Sequence, residues 1–112
     1  MNLSENMVLI GEGKVLNDPE IREFEEGNKL LKFLLSFDTW GANLSVQTNT
    51  IACDMFSKDA HLIKEKLRKG DSIKIKAQLV INKNRKDPSD KRLFPTLRIR
   101  EILEYGSNER DF

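Results

Sequence analysis

Apolar and polar residues alternate along most of the chain, and where they do the period is two, which predicts strands rather than helices. Met7-Val8-Leu9-Ile10 opens a first strand that continues to Leu16 and is stopped by Asn17-Asp18-Pro19. Gly11 and Gly13 inside this run predict a bend or bulge where the sheet curves sharply. A short second run, Ile21 to Phe24, meets a turn at Glu25-Glu26-Gly27-Asn28, and the chain returns through Lys29 to Phe37, the pattern of a hairpin. The return strand is apolar on both faces. Leu31, Phe33, Leu35 and Phe37 fill one side and Leu30 and Leu34 stand on the other. A domain this small has one core, so the second face predicts an oligomer interface at Leu30 and Leu34, with another copy of the chain as the simplest partner.

Residues 38–43 read as a loop carrying Trp40, after which Gln47 to Phe56 alternates again, with Ile51, Cys53 and Met55 on one side. Ser57 or Asp59 is placed to cap a helix whose apolar positions Ala60, Ile63 and Leu67 share a face, and Gly70 is placed to end it. From Asp71 the period returns to two. Ile73, Ile75, Ala77, Leu79 and Ile81 point one way and Lys74, Lys76, Gln78 and Val80 the other. A polar loop, Lys83 to Arg92, leads to a last alternating run from Thr96 to Leu103. The result is an all-β chain with one short helix. Three main strands, a helix and two strands are the element order of the OB-fold, a five-stranded Greek-key barrel that binds oligonucleotides or oligosaccharides.

Composition narrows the reading. The 112 residues fit one domain, expected over 1–105 with a short C-terminal tail over 106–112. No apolar run nears the roughly 20 residues that cross a bilayer, and the start resembles no signal peptide, so a cytoplasmic location is expected. One Cys (Cys53) and one His (His61) cannot build a tetrahedral zinc site, so no metal and no cofactor are expected. Cys53 alternates with Ile51 and Met55 as a buried apolar residue, and His61 has no nucleophile beside it. Gly11-Glu12-Gly13 lacks the third glycine and the following helix of a dinucleotide fingerprint. The acidic residues 18, 20, 23, 25 and 26 read as a solvated turn. No paired catalytic groups appear, and an enzyme is not expected.

The net charge of +1 hides a polarised sequence. Residues 1–57 carry four basic and nine acidic side chains, residues 58–100 fourteen and five, and the last twelve residues one and four. The middle segment is therefore able to attract a polyanion although the total is near neutral. Lys74, Lys76, Arg98 and Arg100 are expected on the faces opposite their strands' apolar residues, and Lys83, Arg85, Lys86, Lys91 and Arg92 crowd the loop between the last two strands.

Several motifs then converge. Val8-Leu9-Ile10 leading to Gly13, Asp18-Pro19-Glu20-Ile21-Arg22, Gln47-Thr48, Phe56-Ser57-Lys58 and the stretch Leu67-Arg68-Lys69-Gly70-Asp71 to Leu79 occur in this order. Together they resemble the bacterial single-stranded DNA-binding proteins over about Met7 to Leu103. The resemblance implies a homo-oligomer, tetramer or dimer, associated with the nucleoid. It would hold single strands by stacking bases on aromatics and tracking phosphates with Lys and Arg, in replication, recombination or repair. Trp40 falls close to a stacking Trp of the family and Phe56 on its stacking Phe, but two other family tryptophans align with Thr50 and Asn84. Weaker, more salt-dependent binding than the family norm is expected, with Phe94 replacing one lost ring. The tail Gly106 to Phe112 stands where the family has a long linker and an acidic tip that recruits replication and repair proteins. Its Asp111-Phe112 end echoes that tip, although Arg110 interrupts the acidic run, and the short tail suggests a phage, plasmid or accessory form. The sequence-level expectation is a sequence-tolerant single-stranded DNA binder, with RNA not separated from DNA. The alternatives are an accessory module bridging nucleic acid and a protein, or an OB domain for protein interaction alone.

Overall fold

A computed structural model describes residues 8–24, 27–83 and 86–106. The elements are β1 (Val8–Val15), β2 (Glu20–Phe24), β3 (Asn28–Trp40), β4 (Val46–Phe56), α1 (Ala60–Lys66), β5 (Ser72–Lys83) and β6 (Leu93–Gly106). The sheet runs in the order β1-β5-β6-β4-β3-β2, and β1 also pairs with β3. That extra pairing closes a ring of five strands, the expected OB-type barrel, and leaves β2 as a sixth strand on the outer edge of β3. All pairings are antiparallel except β4 with β6, which run parallel through Ala52↔Thr96, Cys53↔Leu97 and Asp54↔Arg98.

The core takes the positions that the alternation assigns to it. Val15, Leu31, Phe33, Leu35, Cys53, Ile73, Ile75, Ala77 and Ile99 are buried inside the ring, joined by Ala60 and Leu67 from α1 and the residue after it. Ile63 packs half-buried against them. Asp59 stands at the helix N-cap but makes no side-chain cap bond; Ser57 Oγ accepts from the Asp59 N–H at 3.0 Å instead. The turn after the helix is tied to the end of β1. Gly70, with φ of +94°, donates to the Val15 carbonyl at 2.7 Å, and Lys69 N–H donates to Asp18 Oδ1 at 3.0 Å. Burial, with the Asp54 charge beside it, pushes the Cys53 thiol up from its ordinary 9.0 to about 12. It stays protonated and serves as a small apolar residue.

The seam of the ring is short. Only Lys14↔Ser36 and Val15↔Leu35 join β1 to β3. Gly13 precedes this seam, and a Cβ built on it would meet Leu35 Cγ and the Ser36 carbonyl oxygen, each at 2.6 Å. Gly11, two residues earlier, would meet nothing within 4 Å. Of the two glycines read as a bend, Gly13 is therefore the one that closure requires.

Three boundaries differ from the sequence reading. Asp38, Thr39 and Trp40 belong to β3 and not to a loop, because their side chains and backbones pair with β4: Thr48 Oγ1 donates to Asp38 Oδ1 at 2.9 Å and Asn49 Nδ2 to Thr39 Oγ1 at 2.8 Å. The turn shrinks to residues 41–45, with Gly41 N–H bonded to the Ser45 carbonyl at 2.7 Å. The last strand starts at Leu93 and runs to Gly106, with register shifts against β5 between Lys74 and Ile75 and between Lys76 and Ala77. Met7, Glu25 and Glu26, Asn84, Arg85 and residues 107–112 lie outside the described residues.

Candidate nucleic-acid interface

Because Leu31, Phe33, Leu35 and Cys53 point into the ring, the residues between them point out. On this outer face the register sets Leu30 opposite Phe56, Lys32 opposite Asp54, Leu34 opposite Ala52, Ser36 opposite Thr50 and Trp40 opposite Val46. β6 extends the face by placing Arg98 beside Asp54 and Thr96 beside Ala52, and the β5–β6 arm carries it on to Asn82 and Phe94. Phe56 and Trp40 mark its two ends on the β3–β4 hairpin, ten residues apart along β3 by register, or about 33 Å.

Aromatic rings on this face reach solvent. Trp40 is 75% exposed, Phe56 50% and Phe94 41%. The Trp40 end also carries Val46 and Leu44, both exposed, and Leu44 has φ of +60° in the left-handed region that a leucine rarely occupies. The tip of the hairpin is thus an apolar cluster, and Trp40 covers no buried edge.

Two arginines are fixed in the same way at different places. Arg98 donates through Nε to Asp54 Oδ1 at 3.0 Å and through Nη2 to Asp54 Oδ2 at 3.3 Å, while its guanidinium lies 5.0 Å from the centre of the Phe56 ring. Arg92 donates through Nε to Asp90 Oδ1 at 2.9 Å and through Nη2 to Asp90 Oδ2 at 2.7 Å, and lies 5.5 Å from the Phe94 ring. The carboxylate hydrogen bonds raise both guanidinium pKa values further above their ordinary range. Asp54 is itself 92% buried, an unusual place for a carboxylate unless paired.

The expected cations divide into two groups. Lys83, Lys86, Lys91 and Arg92 sit on the arm and its loop, all exposed, while Arg85 lies outside the described residues. Lys74 and Lys76 belong to the β1–β5–β6 wall, where the register opposes Lys74 to Glu12 and Glu104 and Lys76 to Glu101. Carboxylates across the strands weaken the field of these two lysines. Arg100 falls at the register shift between the pairs Ala77↔Ile99 and Lys76↔Glu101. Leu30 and Leu34, read as an oligomer surface, occupy the same outer face as Phe56, Leu34 being 41% exposed.

Asp54 and Asp90 were not singled out by sequence. Asp90 stands two residues before its arginine, a spacing visible in the sequence, whereas Asp54 is brought to Arg98 by the pairing of β4 with β6. Among the described residues no group of three or more His, Cys, Asp or Glu is arranged to hold a metal ion. No helix among them is long and apolar enough to cross a membrane. An apolar groove of about 410 Å³ opens between β1 and β3, lined by Leu9, Ile10, Phe37, Ile51, Leu79 and Leu97 among others.

Known structures share this architecture. The chain is similar to a Plasmodium falciparum single-stranded DNA-binding protein solved in complex with single-stranded DNA, at 17% identity and a TM-score of 0.74, over 93% of this chain and 100% of that one. It is similar to the corresponding domain of a Synechococcus protein at 13% identity and 0.67, over 90% and 98% of the two chains. A deletion mutant of the Thermus aquaticus single-stranded DNA-binding protein matches at 17% and 0.68, over 91% of this chain and 50% of that one. No curated protein sequence matches the chain. The model of the single-strand binding protein family matches residues 5–103, nearly the whole of the described barrel, and with it the chain belongs to that family.

Proposed function

We propose that the protein binds single-stranded DNA without enzymatic activity and with little regard for sequence, along the outer face of β3, β4 and β6. The observation that carries this is the placement of three solvent-exposed aromatic residues, Trp40, Phe56 and Phe94, on one face that ends in a basic loop. Stacked bases and neutralised phosphates are the two components of sequence-tolerant strand binding. The path runs from the Trp40 tip across Phe56 and Arg98 to Phe94 and Arg92, and on to the loop cations Lys83, Lys86 and Lys91; by sequence Arg85 belongs to that loop and Arg100 to the same strand as Arg98. Lys74 and Lys76 lie off it.

Titration with oligo-dT tests the reading, with duplex DNA and oligo-U alongside. Trp40, the single tryptophan, is expected to be quenched by the single-stranded DNA, and log K to fall steeply with log salt. Absence of any binding at about 50 mM salt would sink the proposal. Trp40→Ala, at a residue 75% exposed, is expected to leave the melting temperature within a few degrees while weakening binding by about 5- to 150-fold, the worth of one base stack.

The reading includes a homo-oligomer working in replication, recombination or repair in the cytoplasm, where the nucleoid is. The exposed Leu34, with the half-buried Leu30 on the same face, offers one apolar surface, and Leu9 and Ile10, on a β1 edge that pairs with β3 only at its last two residues, offer another. Sedimentation of the free protein is expected to give a mass above one chain. Of Leu34→Glu and Ile10→Glu, the one that reduces the mass to a single chain identifies the surface. If both leave a large assembly intact, neither surface is the interface.

A further inference from the structure

The two arginine sites described above repeat one arrangement, and the repetition has a chemical meaning. In each, an aspartate accepts from Nε and Nη2 of a guanidinium, and the guanidinium carbon Cζ lies over a phenylalanine ring, within 5.5 Å of its centre, the ring remaining at least 41% exposed. Asp54 and Arg98 come from different strands, β4 and β6, and Asp90 and Arg92 from one turn, so the likeness is not the product of a single local motif. Both lie on the outer face, with Phe94 and Arg98 four residues apart on β6.

An arginine can serve a nucleic acid in two ways. Free, it is a cation that neutralises a phosphate and releases counterions; fixed flat, it is a planar surface that stacks with bases and rings. A carboxylate already occupying the fork cancels the first role and fixes the geometry for the second. We propose that Asp54–Arg98–Phe56 and Asp90–Arg92–Phe94 are two composite stacking platforms for nucleobases, in which the arginine widens the aromatic surface and contributes no net charge to strand binding. Each aspartate is a positioning residue. The platforms supply flat surface in a chain where Thr50 and Asn84 stand at positions aligned with family tryptophans. The inference rests on the proposed strand-binding reading and assigns to Arg92 and Arg98 a role opposite to that of Lys83, Lys86 and Lys91.

Salt titration with oligo-dT separates the roles, because each neutralised phosphate of a single strand contributes about 0.7 to the slope of log K against log salt. Lys83→Ala is expected to flatten the slope by about 0.7. Arg92→Ala and Arg98→Ala are expected to weaken binding about three- to tenfold at every salt concentration with the slope unchanged. Arg98→Lys, which keeps the charge and loses the plane, is expected to weaken it similarly. Asp90→Asn frees the charge of Arg92 and is expected to steepen the slope by about 0.7. It sits in the exposed loop, so it tests the idea even where Asp54→Asn fails to fold. Binding by Arg98→Lys equal to the wild type overturns the proposal, as does a slope flattened by Arg92→Ala and Arg98→Ala as it is by Lys83→Ala. Failure of the underlying reading looks different: the wild type does not bind oligo-dT, or Phe56→Leu and Phe94→Leu bind unchanged.

Discussion

Replacing Lys83, Lys86 and Lys91 together by glutamate is expected to lower the affinity for oligo-dT at about 0.1 M salt by at least about 100-fold. At that concentration the release of counterions by one phosphate contact is worth about fivefold, so losing three contacts already gives about 100-fold, and the added negative charge increases the loss. All three side chains are exposed on the arm and its loop, away from the core, so the melting temperature should hold. The slope of log K against log salt should fall by about 2. If the domain served protein interaction alone, there would be no strand binding for the substitution to remove. Wild-type affinity in the triple variant would therefore reject this loop as the place where phosphates are neutralised.

Gly13→Ala is the second large effect, and it acts on the fold. The added methyl would stand 2.6 Å from Leu35 Cγ and from the Ser36 carbonyl oxygen. The leucine can rotate; the carbonyl belongs to the backbone of the two-pair seam and cannot yield without opening it. A cost of about 3 kcal/mol is expected, near the upper end for overpacking, which in a domain of this size lowers the melting temperature by about 12 °C or more. Gly11→Ala is the control, since its methyl meets nothing within 4 Å and the substitution restricts the unfolded chain. Neither glycine has a positive φ, so a difference between the two variants reports the close approach at the seam and not backbone freedom. Equal melting temperatures would refute the requirement for Gly13.

The barrel was largely legible because burial on one side writes itself as a period of two. Ile73, Ile75 and Ala77 were assigned inward by alternation and are inward, and Ala60, Ile63 and Leu67 identified the buried face of the one helix. The same rule failed beyond Ile99. Two register shifts against β5 rephase β6, so that Ile102 falls opposite Ile75, while Glu101 and Glu104 come opposite Lys76 and Lys74. A bulge leaves no mark in a pattern of polar and apolar letters, so the placing of these carboxylates opposite the lysines is invisible in it. The polar neighbours of Trp40 suggest a loop, yet those polar side chains bond across the hairpin and make the strand longer. The aspartate partners of Arg92 and Arg98 differ in kind. Asp90 is two residues from its arginine and within reach of sequence reasoning, whereas Asp54 and Arg98 are 44 residues apart and meet only through the parallel pairing.

That parallel pairing has a kinetic consequence. β4 and β6 pair through three residue pairs, and each pair joins positions 44 apart in the sequence. The hairpins β2–β3, β3–β4 and β5–β6 can form from near neighbours, but the ring cannot close until this distant contact has paid its loop entropy. Closure therefore belongs late in folding, on the millisecond-to-second scale of non-local β topologies. Until it happens Asp54 has no arginine, and the face proposed for strand binding does not yet exist.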